Sequence, residues 1–197
     1  MPWLEPVTLR GQYARLEPLS AAHRDGLVEA ARDGELFKLW YTSVPKPEDM
    51  EKEIARRLGL QSAGSMLPFT VFDAEGGLAG MTTYMNVDAT NRRVEIGSTW
   101  YAKRVQRTSL NTQCKLLLLQ HAFETLDCIA VEFRTHFFNH QSRRAIERLG
   151  AKQDGILRNH QIAPNGTLRD TVVFSIIAAE WPTVKAHLEY QLNDKPR

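Results

Sequence analysis

The spacing of hydrophobic and polar residues predicts an alternation of strands and helices along the chain. Strands are predicted where apolar and polar residues alternate, and helices where apolar residues recur three and four positions apart. The predicted strands are 7–9 and Tyr13–Leu16, which form a short first hairpin around Gly11, then Pro68–Phe72, Leu78–Val87, Val94–Tyr101, Ile129–Phe137 and two strands around the Pro164-Asn165-Gly166 turn, the second over Thr171–Ile177. The predicted helices are 21–33, Glu35–Tyr41, Glu48–Ser62, Thr108–Leu126, Gln141–Leu149 and Glu180–Leu192.

The order of these elements indicates a mixed α/β (α+β) fold. Strand 94–101, helix 108–126 and strand 129–137 form a strand–helix–strand crossover, which predicts that the two strands lie parallel. The three strands between 68 and 101 are joined by short turns and are expected to pair antiparallel. The expected fold is a mostly antiparallel twisted sheet with one central parallel pair, flanked by helices. At 197 residues, with no visible repeat or linker, residues 1–197 are expected to form one domain.

Composition and charge narrow the protein class. The chain has 43% hydrophobic and 24% charged residues and a formal charge of +2, which is typical of a globular protein and argues against a dedicated nucleic-acid coat protein. Cys114 and Cys128 have neither the number nor the spacing for a disulfide framework or a zinc site, and both are expected to be buried. The longest apolar run, 116–119, is too short to cross a bilayer, and the first residues lack a signal-peptide pattern. We therefore expect a cytoplasmic protein with no membrane partner.

A basic, acid-free stretch leads into the longest predicted helix. From Ile96 to Phe123 the sequence contains no acidic residue. Four cations occur there, namely Lys103, Arg104, Arg107 and Lys115. The free N–H groups of a helix N-terminus attract anions, and added Arg and Lys side chains favour a phosphate or pyrophosphate site. A solvated basic loop, with Thr108 or Ser109 as an ordinary N-cap, is the alternative.

A second acid-free stretch runs from Phe133 to Ile146. Its basic residues are Arg134, His136, His140, Arg143 and Arg144. Ligands of open α/β sheets gather at the carboxyl ends of neighbouring parallel strands, where both basic stretches are expected to meet. Two stretches that point to one place favour an anion site over a solvated surface.

Other local patterns carry little chemistry. His136 and His140 lie four residues apart, but Asn139 marks a helix start between them and no carboxylate or Cys partner is near, which argues against a metal site. The glycine-rich run from Gly76 to Gly80 lies between two short strands and is expected to be a hairpin turn rather than a dinucleotide loop. Neither a P-loop nor a G-x-S-x-G motif occurs.

Several motifs together resemble a known family. They are Val94-Glu95-Ile96-Gly97 on a strand, the basic Gln106-Arg107 loop before a long helix, and Asn139-x-x-Ser142-Arg-Arg-Ala145-x-x-x-Leu149-Gly150-Ala151 after the next strand. With the opening Leu9-Arg10-Gly11 and Arg15-Leu16-Glu17-Pro18-Leu19, the chain resembles the GCN5-related N-acetyltransferases (GNAT) over nearly its whole length. The resemblance is greatest to the RimJ/RimL-like branch, which acetylates the N-termini of ribosomal proteins.

The resemblance implies that acetyl-CoA binds where the two central parallel strands splay apart, without a metal. Pantetheine would contact the backbone of the outer part of the 94–101 strand, and the pyrophosphate would lie on the 106–111 loop. The implied cofactor-binding residues are Thr99, Trp100, Tyr101, Gln106, Arg107, Thr108, Ser109, Leu110, Asn111, Asn139 and Arg143. Ser142 matches the position proposed to protonate the leaving CoA thiolate, and Glu95 would help to remove the proton of the amine, directly or through water. Taken alone, Glu95 also fits a solvent-facing strand residue and Ser142 an ordinary first-turn helix residue.

The phosphate loop departs from the family pattern. Members of the family usually have glycine at the position of Ser109 and glycine or alanine at the position of Asn111. Helical N–H donors do not need glycine, although glycine lets a ligand approach more closely. A non-catalytic module that binds CoA or RNA phosphates is therefore the alternative to an enzyme.

The implied reaction is direct attack of a primary amine on acetyl-CoA in a ternary complex. The acceptor is a protein N-terminus or a small molecule, and an α-amine or another amine of low pKa is favoured because it loses its proton more easily than lysine. Aromatic side chains could wall the acceptor pocket, since such walls hold ammonium groups or peptides. The candidates are Phe37, Trp40, Tyr41 and Tyr84. The same residues could instead belong to the core or to the face of a homodimer.

Overall fold

A computed structural model describes residues 3–193 of the chain. Its strands are β1 (Leu9–Arg10), β2 (Ala14–Pro18), β3 (Met66–Asp73), β4 (Leu78–Asp88), β5 (Arg93–Tyr101), β6 (Ala130–His136), β7 (Lys152–Ile162) and β8 (Leu168–Ile177). Its helices are α1 (Arg24–Arg32), α2 (Met50–Ser62), α3 (Leu110–Gln120), α4 (His140–Glu147) and α5 (Trp181–Asn193). The strands form one sheet in the order β1-β2-β3-β4-β5-β6-β8-β7, so the predicted mixed fold with a mostly antiparallel sheet is confirmed.

The predicted elements correspond to those of the structure, except that two predicted helices differ. The stretch Glu35–Tyr41, predicted as a helix from its apolar residues, contains only a single 3-10 turn over Leu36–Lys38. Glu35 has a left-handed backbone (φ 50°) and Leu39 is extended (φ −79°, ψ 114°), so a helix cannot continue in either direction. The predicted 108–126 helix also changes character, because α3 gives way to a wider π-helical turn at His121–Thr125.

The helices cover the two faces of the sheet. Arg57 of α2 contacts Thr83 of β4, whereas the next residue, Tyr84, contacts the backbone of Leu118 in α3. Because successive side chains of a strand point to opposite faces, α2 and α3 lie on opposite sides of the sheet. Helix α1 packs against α2 and β4, and α5 packs against α3. Cys114 and Cys128 are both buried, as predicted.

The sheet opens in its middle. Strands β5 and β6 pair in parallel, as predicted, but only where Arg93–Glu95 face Ala130–Glu132. Beyond this point β5 continues along β4 as far as Tyr101, and β6 continues along β8 as far as His136. The two strands therefore diverge. We call the gap between residues 96–101 of β5 and residues 133–136 of β6 the central cleft.

A glycine holds β4 close to the outer part of β5. Gly80 has a φ of 148°, and a Cβ atom at this position would lie 2.1 Å from the carbonyl oxygen of Trp100. We expect Gly80→Ala to lower the free energy of unfolding by about 3 kcal/mol, because the clash and the backbone strain add. Urea denaturation would measure the change. Gly59→Ala on α2, where nothing lies within 4 Å of the added methyl, is the matched control and is expected to stabilise slightly. Equal unfolding free energies for the two variants would contradict this account.

Candidate active site

Glu95 lies at the point where the central cleft begins. It is only 5% exposed, so it is not a solvent-facing strand residue. Its Oε2 atom accepts a hydrogen bond of 2.6 Å from Nδ2 of Asn86 and lies 3.7 Å from Nε of Arg134. One carboxylate oxygen is thus held in place by an amide and a guanidinium group.

The second oxygen of Glu95 lies over Gly97. A Cβ atom at position 97 would be 2.8 Å from Oε1 of Glu95 and 2.7 Å from Sδ of Met85. Because Gly97 has no side chain, Oε1 of Glu95 has room at this position, next to the part of β5 that no longer pairs with β6. This places a carboxylate oxygen at the inner end of the central cleft.

Burial raises the pKa of the Glu95 carboxyl above its ordinary value. The Asn86 hydrogen bond and the charge of Arg134 act in the opposite direction, and the nearby carboxylate of Glu132 adds to the increase. A carboxylate of raised pKa is a stronger base than an ordinary glutamate.

The loop before α3 presents a helix N-terminus that its own cap residue leaves open. Arg107 has a left-handed backbone (φ 62°), and the chain then enters α3 through Thr108, whose Oγ1 accepts from the amide of Leu110 at 3.3 Å. The side chain of Ser109, the N-cap residue, makes no capping hydrogen bond. The amides of the following first-turn residues have no partner within the helix, and an anion can accept from them. These residues fit a phosphate group.

Two of the four predicted cations are engaged elsewhere. Arg104 forms an ion pair with Asp73 and donates to the carbonyl of Leu78 at 2.9 Å. Lys115 is buried, and its Nζ donates to Oγ1 of Thr99 at 3.0 Å. Burial lowers the pKa of Lys115 to about 8. Lys103 and Arg107 remain exposed.

The three predicted residues of outer β5 turn their side chains into the protein. Oγ1 of Thr99 lies 2.8 Å from that of Thr82, and Trp100 is 4% exposed. Tyr101 has a buried hydroxyl, and its carbonyl accepts from Nε2 of Gln106 at 3.0 Å. A ligand in the cleft would therefore contact this strand mainly through its backbone, as the family resemblance implies.

Helix α4 begins on the other side of the central cleft. Oδ1 of Asn139 accepts from the amide of Ser142 at 3.0 Å and so caps the helix. Arg143 is half-buried over the ring of Phe137, 5.0 Å from its centroid. The predicted Asn139, Ser142 and Arg143 thus lie together at the end of β6.

An aromatic cluster borders the same end of β6. Trp40 and Tyr41 contact the imidazole of His136, with ring centroids 5.0 and 6.4 Å apart, and Phe138 completes the group. Trp40 is 51% exposed, so the cluster is open to solvent. Tyr84 does not belong to it. That side chain is fully buried on the α3 side of the sheet, where its hydroxyl donates to the carbonyl of Leu118.

Sequence reasoning missed the groups that hold Glu95. Asn86 reaches it across the β4–β5 pair, in which Met85 faces Glu95, and Arg134 reaches it from β6. Both contacts depend on strand register, which the local sequence does not specify. The sequence pattern places His136 in a basic stretch and pairs it with His140 as a candidate metal ligand, whereas in the structure its ring belongs to the aromatic cluster.

Within residues 3–193, no three His, Cys, Asp or Glu side chains are grouped so that they could hold a metal ion. In the same part of the chain, no helix is long and apolar enough to cross a membrane.

Comparison with known proteins identifies relatives of this sequence. A family model described as an acetyltransferase (GNAT) domain matches residues 14–152. The protein named "Putative ribosomal N-acetyltransferase YdaF" of Bacillus subtilis is 34% identical over 107 residues, which span 54% of this chain and 57% of that protein.

Solved structures have the same fold. A GCN5-related N-acetyltransferase from Brucella melitensis superposes with a TM-score of 0.87 at 31% identity, over 98% of this chain and 88% of that one. Mycobacterium smegmatis RimJ, solved with CoA-disulfide, gives a TM-score of 0.78 over 94% and 93% of the two chains, and at 19% identity this likeness concerns the fold alone. Because the family model covers well over half of the sequence, the chain belongs to the GNAT family of acyltransferases, whose co-substrate is acetyl-CoA.

Proposed function

We propose that this protein transfers the acetyl group of acetyl-CoA to a protein N-terminal α-amine by direct attack in a ternary complex. The observation that carries the proposal is the position of Glu95. Its buried carboxylate lies at the inner end of the central cleft, at the last residue pair over which β5 and β6 remain parallel partners. The YdaF protein of B. subtilis, whose name refers to ribosomal N-acetylation, supports the same acceptor class.

The residues before and within the first turn of α3 would hold the pyrophosphate. Backbone amides of 107–111 would supply donors, apart from that of Leu110, which donates to Oγ1 of Thr108, and the exposed Arg107 would supply charge. Asn139 and Arg143 would contact the cofactor arm from the β6 side. Outer β5, which lacks a β6 partner, would bind the pantetheine through its backbone.

The acceptor would approach past the aromatic cluster. Trp40 and Tyr41 belong to the loop after α1, and His136 is on the same face of β6 as Glu132, which lies beside Glu95 in the parallel register. An amine that passes this wall would reach Oε1 of Glu95. That oxygen would take the amine proton, directly or through a water molecule.

Acetyl-CoA supplies a thioester carbonyl that the amine attacks. The oxygen of this carbonyl gains negative charge during the attack, and backbone N–H groups of 98–101 would stabilise it. Most of the rate enhancement would come from holding the amine nitrogen next to the thioester carbonyl carbon in the orientation for attack, which requires few side chains.

The energy of deprotonation favours an α-amine. At pH 7 an α-amine of pKa 7.7–8.0 loses its proton at a cost of about 1 kcal/mol, whereas a lysine of pKa 10.4 costs about 4.6 kcal/mol. A single carboxylate meets the first cost more easily. The test compares peptides with free N-termini against the same peptides with acetylated N-termini and one lysine, by following the release of CoA thiol. Faster turnover of the lysine peptides would contradict the proposed acceptor class.

Ser142 is expected to donate a proton to the departing CoA thiolate. The Asn139 cap fixes its backbone at the start of α4. We expect Ser142→Ala to lower kcat by about 10²-fold, the lower end for general acid catalysis, because a thiolate of pKa near 8.5 needs little help to leave. The KM for acetyl-CoA should not change. Gln141→Ala, at the exposed neighbouring position, is the control. An unchanged kcat for Ser142→Ala would remove this residue from the mechanism.

A further inference from the structure

Arg57 of α2 is a buried cation that directs its guanidinium group into the sheet. The residue is 1% exposed. Its Nε donates to Oε1 of Glu53 at 2.7 Å, and Nη1 donates to Oγ1 of Thr83 at 2.7 Å. Nη1 and Nη2 also lie 3.5 and 3.4 Å from the carbonyl oxygen of Ser98. One guanidinium group thus joins α2, β4 and β5.

The Ser98 carbonyl belongs to a bulge in β5. Met81 pairs with Trp100 and Thr83 pairs with Gly97, so one residue of β4 faces two residues of β5, Ser98 and Thr99. Ser98 has a φ of 48°, a left-handed conformation that is unfavourable for a residue with a Cβ atom. Such a conformation persists only where neighbouring groups hold it, and Arg57 contacts the carbonyl of this residue.

The bulge determines the direction of the next amide. In a trans peptide the C=O and the N–H point in opposite directions. Arg57 holds the Ser98 carbonyl toward α2, so the amide of Thr99 is directed away from α2. On that other side of the sheet lie α3 and its open N-terminus. The Thr99 amide is one of the backbone donors to which the proposed function assigns the thioester oxygen.

We propose that Arg57 is a positioning residue for acetyl transfer, which holds the Ser98–Thr99 peptide so that the Thr99 amide donates to the thioester oxygen. This inference rests on the proposed function and adds a residue from α2, which contacts neither the phosphate loop nor the aromatic cluster through this side chain. A role limited to the ion pair with Glu53 would not need the contact with Ser98. Arg56 already binds the same carboxylate through two hydrogen bonds of 2.8 Å.

The first test replaces Arg57 by lysine, which keeps the charge and loses the planar fork. We expect kcat to fall by about 10- to 100-fold, as for a misaligned oxyanion donor, with the affinity for CoA unchanged because CoA has no thioester carbonyl. Arg56→Lys, which alters the exposed partner of the same Glu53, is the matched control and should leave kcat unchanged. An unchanged kcat for Arg57→Lys, or a parallel loss of CoA affinity, would overturn the proposal.

The second test replaces Ser98 of the bulge by glycine. Glycine adopts the left-handed conformation without strain, so Ser98→Gly in the Arg57→Lys background should restore most of the lost kcat. If kcat of the Arg57→Lys variant stayed low after Ser98→Gly was added, Arg57 would have only a structural role and the proposal would be overturned.

A third measurement uses the native chain and does not depend on the folding of any variant. The Thr99 amide resonance should shift when acetyl-CoA is added, and CoA alone should not reproduce that shift. Identical effects of both compounds would overturn the role of this amide. If the native chain bound acetyl-CoA but acetylated no amine, the proposed function would fail, whereas an active native chain with a fully active Arg57→Lys variant would refute only the present inference.

Discussion

Replacing Glu95 by glutamine is expected to lower kcat by about 10²- to 10⁴-fold, the range that general base catalysis supplies. Glutamine keeps the size of the side chain and an oxygen that can accept from Asn86, but it cannot take the amine proton. Because acetyl-CoA does not need the carboxylate for binding, its dissociation constant should be unchanged. Steady-state kinetics with a free N-terminal peptide, together with calorimetric titration of acetyl-CoA, would measure the two effects.

The pH dependence gives an independent readout for the same residue. Burial raises the pKa of Glu95, so the acidic limb of kcat/KM should lie above the pKa of an ordinary glutamate and should disappear in Glu95→Gln. A raised folded-state pKa also means that ionised Glu95 destabilises the fold, and that its contribution to stability is lost as the pH rises through this pKa. Glu95→Gln removes this destabilising charge, so the variant should be folded at neutral pH and its loss of activity should not result from unfolding.

Glu132→Gln is the matched control for Glu95. Glu132 is the parallel-register neighbour of Glu95 on β6 and forms an ion pair with the same Arg134. We expect this variant to keep the native order of magnitude of kcat. If kcat fell equally in the two variants, the negative charge beside Arg134 would matter rather than a base at position 95. That result would contradict the mechanism.

Replacing Ser109 by glutamate is expected to weaken acetyl-CoA binding by about 100-fold or more, since like charges brought together at a binding site cost several kcal/mol. Ser109 is the N-cap residue of α3, next to the amides that would bind the pyrophosphate. A carboxylate at a helix N-terminus stabilises the helix, so the variant should fold at least as well as the native chain. Weaker binding would then reflect competition for the anion site.

Ser65→Glu provides the same change of residue and charge in the exposed loop between α2 and β3, outside the start of α3. Its dissociation constant for acetyl-CoA should equal that of the native chain. Titration calorimetry at one moderate salt concentration would compare the three proteins. If Ser109→Glu bound acetyl-CoA with the affinity of the native chain, the pyrophosphate would not bind at the start of α3.

The architecture was predictable because it depends on periodicity. The parallel relation of β5 and β6 follows from a strand–helix–strand order, which the hydrophobic pattern reveals. The helix prediction for Glu35–Tyr41 was wrong because the apolar residues of this stretch do not form a helical stripe that packs on the core. They instead follow a turn with a left-handed Glu35, and Trp40 contacts His136 at the cleft.

The chemistry of the site was predictable only in part. The resemblance led to Glu95, but its burial and its Asn86 partner depend on the register of β4 and β5. The local charge pattern grouped Lys115 with the loop cations, whereas α3 turns this side chain toward Thr99. Arg57 gave no sequence signal, since a charged face on a predicted helix is normally solvated.

The proposed mechanism requires acetyl-CoA to bind in the central cleft. A crystal structure of the full chain with acetyl-CoA would test it. We predict pyrophosphate on the amides at the start of α3 and the thioester between β5 and β6, beside the Thr99 amide and within reach of Glu95. A cleft filled by the protein's own side chains, with acetyl-CoA bound elsewhere or not at all, would contradict the account.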